Sequence, residues 1–334
     1  MEHIDCVLYK KLFFFFFIIQ FIVFLTFLFY SSKPVNDTDA DYKQTFYKNY
    51  RIFSIEIPES VNFAGEEIKT NRFDIRESLE KEILVNTYWQ SQTLLLIKRA
   101  NRYFPIVEPI LKKYNIPDDF KYLALAESGF VNNIVSPAGA SGVWQFLKAT
   151  AIQYGLEVNE NVDERYHIEK STEAACKYLL DAYKIYKSWT LVAASYNMGM
   201  GALNKQIAHQ NANNYYDLFL NTETARYVYR IISLKLIVKD PKSVGFYIRK
   251  KDLYPAIPSF TVEVDSSITN LAKFASGYNI NYKILKEFNL WIRKSTFINL
   301  AKKKYTITIP NIVNYDSLQL SVSDEPIVLP DTLK

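Results

Sequence analysis

Cysteine is almost missing from this chain: Cys6 and Cys176 are the two among 334 residues. One precedes a long apolar run and the other sits in a helical pattern, so no disulfide framework is expected, and Cys176 reads as a small core residue. Histidine is nearly as scarce. His3, His167 and His209 stand far apart without the spacing of a metal site. There is no HExxH, Walker loop, GxGxxG or GxSxG, so no metal or cofactor is expected. Only 9 glycines are present, which argues against a turn-rich all-β fold. Charge is not concentrated either. A formal net charge of +5 without a basic block gives no reason to expect nucleic acid, though it suits an anionic polymer or a membrane surface.

What is present is apolar and aromatic: 49% hydrophobic residues, with 25 Tyr and 23 Phe, enough for one large domain and a smaller one. Residues 12–30 form a continuous apolar run broken only by Gln20 and Thr26, near the ~20 residues that span a bilayer. Lys10 and Lys11 precede it and Asp37, Asp39 and Asp41 follow, which orients the remainder of the chain outward. The rival reading is a cleaved signal peptide. The bulky Phe29-Tyr30 ahead of Ser31-Ser32 and the length of the run favour an uncleaved anchor.

Residues 31–60 are polar and read as a tether. Helical patterning covers residues 75–104, where Phe104-Pro105 is expected to break it, with a further helix over 106–114. Residues 170–187 are amphipathic, with Ala174, Tyr178, Leu179, Ala182 and Ile185 on one side, 189–197 should be buried, and 222–238 form a last long helix. Beyond Asp240-Pro241 the pattern changes. Pro255 and Pro258 mark a linker, residues 260–264 and 305–309 alternate as strands do, and two short helices fit between them.

The most informative stretch is Lys121 to Phe130. Phe120, Leu123 and Ala124 recur at helical spacing, and Glu127 falls on the same face, almost directly above Phe120. A carboxylate there must be paired, hydrogen-bonded or protonated, and burial raises its pKa. Gly129 can end the helix and leave the acid at a rim. Two readings stay open on this stretch alone: a general acid working near neutral pH, or one half of a structural ion pair.

Three further motifs follow. Ser136-Pro-Ala-Gly139-Ala-Ser141-Gly142-Val-Trp144-Gln145-Phe146 comes first, then Ala193-Ala-Ser195-Tyr196-Asn197-Met-Gly199-Met-Gly201, then Glu223-Thr224-Ala225-Arg226-Tyr227-Val228. With Glu127-Ser128, in this order, they resemble the soluble-type lytic transglycosylases of bacterial cell walls, in particular the membrane-bound branch that carries LysM modules. The resemblance implies a mainly α, lysozyme-like catalytic domain. It also implies cleavage of the β-1,4 bond between N-acetylmuramic acid and N-acetylglucosamine, leaving a 1,6-anhydro end. Glu127 takes the catalytic position as a single acid that serves first as acid and then as base. Ser128, Ser141, Gln145, Tyr196, Asn197 and Tyr227 take the substrate-binding positions, Tyr227 reaching Glu127, while Gly139 and Gly142 would let backbone approach the sugar. Two departures stand out. Leu147-Lys148 replaces Met-Pro, and His167 ends the run Asp163-Glu164-Arg165-Tyr166-His167 where the family has a second Asp. Asp163 is the acid to examine if a second carboxylate serves the cleft.

Residues 260–310 resemble a divergent LysM domain, a β-α-α-β fold that binds N-acetylglucosamine-containing glycans. Asp265-Ser266 replaces the usual Gly-Asp, and the stretch 291–304 is longer than normal. The expected organisation is an anchor over 1–30, a tether over 31–60, the catalytic domain over 61–247, a linker over 248–259, the LysM-like module over 260–310 and a tail over 311–334. The partners implied are peptidoglycan strands and, through the anchor, the inner membrane, with the catalytic domain in the periplasm. If the module merely holds the enzyme on the wall, the chain ending near Tyr247 should still cleave soluble fragments. The alternatives are a goose-type lysozyme that hydrolyses with water, and a non-catalytic membrane-tethered glycan-binding protein.

Overall fold

The computed structural model describes residue 20 and residues 39–49 and 52–311. The chain divides into two compact units, residues 1–54 and 55–334. In the first, the described residues include a helix, α1 (Asp39–Asn49), within the stretch read from sequence as a featureless tether. The expected anchor, residues 12–30, lies outside the described residues apart from Gln20. Among the described residues no helix is long and apolar enough to cross a membrane.

The second unit is mainly helical with a small β-containing module at its end. It begins with a hairpin, β1 (Ser60–Phe63) and β2 (Glu66–Lys69), paired antiparallel with Phe63 opposite Glu66. Ala64 and Gly65 turn it, both at positive φ, and the Ala64 amide donates to the Asp119 carboxylate at 2.7 Å. Phe63 and Ile68 face the core.

Helices α2 (Phe73–Tyr88) and α3 (Gln90–Lys113) follow, divided at Trp89. The break expected at Phe104-Pro105 does not occur, because Pro105 and Pro109 both lie inside α3. They are four residues apart and exposed, so the carbonyls that lose their donors face water, while Phe104, Val107 and Leu111 pin the other side to the core.

Helix α4 (Phe120–Ser128) packs against α3 and against α9 (Thr222–Lys239). Every residue from Phe120 to Leu125 is buried, so α4 threads the core rather than covering it. Lys121 is among them and survives burial through ion pairs with Glu108 (2.6 Å) and Asp118 (2.5 Å). The domain continues through α5 (Lys148–Gln153), α6 (Ile168–Tyr186), α7 (Trp189–Met198) and α8 (Met200–Gln210), with α6 packed on α3 and α7, and α7 on α8 and α9. Ile185, read as part of the buried face of α6, is instead 55% exposed near the helix end. Gly201 lies within α8, and the chain turns at Gly199 alone, where φ is +83°.

The C-terminal module has the expected β-α-α-β order: β3 (Ser259–Val264), α10 (Leu271–Ser276), α11 (Tyr282–Phe288) and β4 (Tyr305–Pro310). Its strands pair antiparallel, Ser259 with Pro310 and Val264 with Tyr305. It is not loosely tethered. The stretch 291–304 lies against the helical domain: the Asp163 amide donates to the Trp291 carbonyl (2.9 Å), the Arg293 amide to that of Asn161 (2.8 Å), and the Arg293 guanidinium covers the Tyr166 ring at 4.1 Å. Lys303 and Tyr305 both bind Glu157. Val162 and Tyr166 belong to the same apolar cluster as Trp291, Ile292 and Phe297, so helical domain and module share a core. The linker is strapped down as well, with Asn101 donating to the Tyr254 carbonyl and Arg102 to that of Pro255.

Candidate active site

Helix α4 ends where sequence reading expected. Gly129 is in the left-handed region (φ +57°), and a side chain there would meet Leu96 at 2.8 Å. The turn leaves Glu127 half-buried on the last turn of α4. From α9 the Tyr227 hydroxyl, fully buried, donates to Glu127 Oε1. Burial is the main influence on this acid and pushes its pKa up, the Tyr227 hydroxyl and the Arg230 guanidinium pull it down, and the Glu223 carboxylate adds to the rise. The balance lies at about 7, against an ordinary 4.5. Burial beside this acid also drives the Tyr227 and Tyr196 phenols well above their usual range, so both remain hydroxyls.

Arg230 and Glu223 carried no role in the sequence reading. Both were within reach of it: Arg230 falls three residues after Tyr227 on the same helix face and lies over the Tyr227 ring at 5.4 Å. Glu223, exposed in the first turn of α9, accepts from Asn197 Nδ2 at 3.1 Å. Asn197 Oδ1 accepts in turn from the Thr224 hydroxyl (2.7 Å), so this amide is fixed in one orientation at the end of α7.

The loop 136–146 is stitched onto α4. Ser128 donates to the Val143 carbonyl (2.9 Å) and accepts from the Phe130 amide. Ser141 is 2% exposed, its hydroxyl on the Gly139 carbonyl and its amide on that of Phe146. Gln145 adopts a left-handed backbone (φ +50°) and its side chain donates to the Gly142 carbonyl at 2.8 Å, closing the turn. A non-glycine residue held at positive φ is a strain that sites of function often carry. Trp144 is fully buried, its indole donating to Thr172, and Tyr196 donates to the Trp144 carbonyl at 2.8 Å. Tyr227 from α9 thus meets Glu127 directly and Tyr196 from α7 lies close enough to feel its charge, whereas Asn197 is tied to Glu223 and Thr224, Gln145 to its own turn, and Ser128 and Ser141 face inward and hold the loop.

Gly142 was expected to admit a sugar. Its close approach is instead to protein: a Cβ there would lie 1.9 Å from the Arg165 carbonyl oxygen. Gly139 has nothing within 4 Å, and its backbone is left-handed at φ +81°. Arg165 organises the same loop, donating Nη1 to the carbonyls of Gly139 (2.9 Å) and Phe146 (3.2 Å). Asp163 grips that guanidinium with both oxygens, at 2.9 and 2.7 Å, and both residues are buried. Both Asp163 oxygens are thereby committed to Arg165. Among the described residues no group of His, Cys, Asp and Glu is placed to hold a metal ion.

Comparison with known proteins then places the chain. Residues 105–219 match the family described as the transglycosylase SLT domain, and residues 260–312 match the soluble lytic transglycosylase C-terminal LysM-like domain. The membrane-bound lytic murein transglycosylase D of Escherichia coli K12 is 31% identical over 242 residues, covering 70% of this chain and 52% of that one, and its counterpart from strain O6:H1 matches equally. The chain therefore spans about half the length of these curated relatives. Among solved structures, the 70 kDa soluble lytic transglycosylase of Escherichia coli is similar at 19% identity with a TM-score of 0.36, covering 41% of this chain and 24% of that one. This chain therefore carries a transglycosylase SLT domain and, after it, the LysM-like domain of the soluble lytic transglycosylases.

Proposed function

We propose that the chain is a peptidoglycan lytic transglycosylase, cleaving between N-acetylmuramic acid and N-acetylglucosamine with Glu127 as its single acid and base. The observation that carries this reading is a half-buried carboxyl held near pH 7 by burial and oriented by Tyr227. Such a group is protonated on about half of the molecules at neutral pH, so it can give a proton and take one back. In the first step Glu127 protonates the glycosidic oxygen as the bond to the anomeric carbon breaks. In the second, its carboxylate removes the proton from the C6 hydroxyl of the same muramic acid as that oxygen closes on the anomeric carbon. Glu127 returns to its starting state, and no water enters.

Tyr227 fixes the direction of the Glu127 carboxyl, and Arg230 steadies its anionic form. Gln145, Tyr196 and Asn197 line the cleft, each already held by a protein partner that sets its direction. Asp163 and Arg165 hold the loop. A goose-type hydrolase is the second reading, favoured by Glu223, an exposed carboxylate close enough to influence Glu127. The mass of the muropeptides released from sacculi separates them. Transglycosylation gives ends lighter by one water than hydrolysis does, and reducing ends would transfer the protein to the hydrolases. Residues 12–30 as an anchor, facing the remaining chain into the periplasm, complete the proposal, and two relatives named as membrane-bound support an envelope location. Recovery of the mature protein as a soluble species lacking its first 31 residues would end that part of it.

A further inference from the structure

Residues 161–166 form a short segment that touches the C-terminal module on one side and the loop 136–146 on the other. On the module side the Asp163 amide donates to the Trp291 carbonyl (2.9 Å), the Arg293 amide donates to the Asn161 carbonyl (2.8 Å), and Val162 bridges Ile292. Arg293 also lays its guanidinium over the Tyr166 ring at 4.1 Å, although Arg293 itself is exposed. On the other side Arg165 Nη1 donates to the carbonyls of Gly139 (2.9 Å) and Phe146 (3.2 Å), which bracket the turn at Gln145. Asn132, beyond the end of α4, donates to the Tyr166 carbonyl at 2.7 Å. Ser128, next to Glu127, donates to the Val143 carbonyl, so the register of the loop is tied to the helix that carries the acid.

Asp163 is where the two sides meet. The module fixes its amide, and its carboxylate fixes the Arg165 guanidinium at 2.9 and 2.7 Å. A shift of the backbone at 163 therefore moves Arg165 and, with it, two carbonyls of the loop. A guanidinium is planar and holds its donors in a rigid fork, so it satisfies one carboxylate and two carbonyls together only from one position. Little slack is available to absorb a shift, because Asp163, Glu164, Arg165 and Tyr166 are all buried and the Arg165 carbonyl excludes any Cβ at Gly142.

We propose that Arg165 is a positioning residue for the cleft and that the C-terminal module, through Trp291 and Arg293, holds it in register. The module is then a working part of the catalytic domain rather than an attachment to it. The proposal rests on the transglycosylase reading for its substrate, but its first readout needs no activity. Amide hydrogen exchange is followed by mass spectrometry in the full chain. Arg293→Ala should quicken exchange over residues 136–146 by about two- to fivefold, the factor that an exposed cation–π contact carries. Exchange in α9, which reports the stability of the helical domain, should not change. Arg165→Lys should quicken the loop at least about tenfold through the lost bonds to its carbonyls. Adding Arg293→Ala to Arg165→Lys should change little more, since Arg293 acts through Arg165. On soluble peptidoglycan fragments KM should rise in the same order, with the alkaline limb of the pH profile unmoved, because the groups that tune Glu127 stand on α9. A merely structural loss lowers the amount of active enzyme, and so kcat, and leaves KM alone. Loop exchange at the wild-type rate in Arg293→Ala refutes the coupling. That variant changes an exposed side chain, so it carries the test if Arg165→Lys does not fold. Quickening spread equally over α9 assigns the contact to overall stability and overturns the proposal as well, as does an unmoved KM in a loosened loop. Hydrolytic products from the wild type would end the transglycosylase reading and leave the exchange results to be judged by themselves.

Discussion

Replacing Glu127 by glutamine should stabilise the fold, and do so more as pH rises. In the native state the carboxyl holds its proton up to about 7, whereas an ordinary Glu releases it near 4.5. The folded pKa is raised, so below about 4.5 both states are protonated and nothing is lost. Between 4.5 and 7 the unfolded chain ionises and the folded one does not, which favours unfolding. Above 7 the whole difference has been given up. At 1.36 kcal/mol per pH unit this amounts to about 3 kcal/mol. Glutamine cannot ionise, and its carbonyl still accepts from Tyr227, so the variant escapes this loss. Urea titrations of wild type and Glu127→Gln at pH 4 and at pH 8.5, in the same detergent, measure the two stabilities. Their difference cancels every other titrating group in the protein. The variant should gain on the wild type by up to about 3 kcal/mol between those pH values. A gap that does not change with pH would mean that Glu127 ionises like an exposed acid and that burial does not tune it.

Tyr227→Phe removes the hydroxyl that holds the Glu127 pKa down, so the acid should keep its proton to a pH above 7 and the alkaline limb of the activity profile should move upward. Initial rates across pH 5 to 10 check this, and an unmoved limb contradicts it. Gly142→Ala forces a Cβ to within 1.9 Å of the Arg165 carbonyl oxygen at a backbone φ of +78°, and should cost about 3 kcal/mol or more in a thermal melt. Gly139→Ala, with open space but φ +81°, should cost about 1 kcal/mol, and equal costs would show that the Arg165 contact is not what requires glycine at 142. Ending the chain at Tyr247 uncovers Val162 and Tyr166 and frees Glu157, so stability and cleavage of soluble glycan fragments should fall together. Undiminished cleavage would restore the module as a mere wall anchor.

The position of Glu127 on the last turn of α4 was legible because its signal is local: an acid at helical spacing from Phe120 and Leu123, with a glycine two residues on that ends the helix. The β-α-α-β order of the module was legible for the same reason, since each strand alternates and Asn270 and Asn281 cap its helices with their side chains. What failed was tertiary. Pro105 was read as a break, yet an exposed proline whose freed carbonyl meets water lets a helix continue when its opposite face is well packed. The hairpin at residues 60–69 was missed because four-residue strands carry too little alternation, and distant side chains hold it: Asp119 at the Ala64 amide and Lys235 at the Asn62 carbonyl. Gly142 was given a sugar as its close neighbour because nothing in its local sequence names Arg165. The docking of the module depended on Trp291 and Arg293 meeting a strap more than 120 residues earlier in the chain, a pairing that no periodicity announces.

The central claim is that one proton, carried by Glu127, passes to and from the substrate. The most direct test is the turnover of Glu127→Gln on purified sacculi, measured beside its affinity for chitotetraose. General acid–base assistance contributes ~10²–10⁴-fold, so turnover should fall at least that far while the Kd stays within about threefold of that of wild type. Turnover within tenfold of wild type, in a variant that still binds, would remove Glu127 from the chemistry and pass the role to another acid.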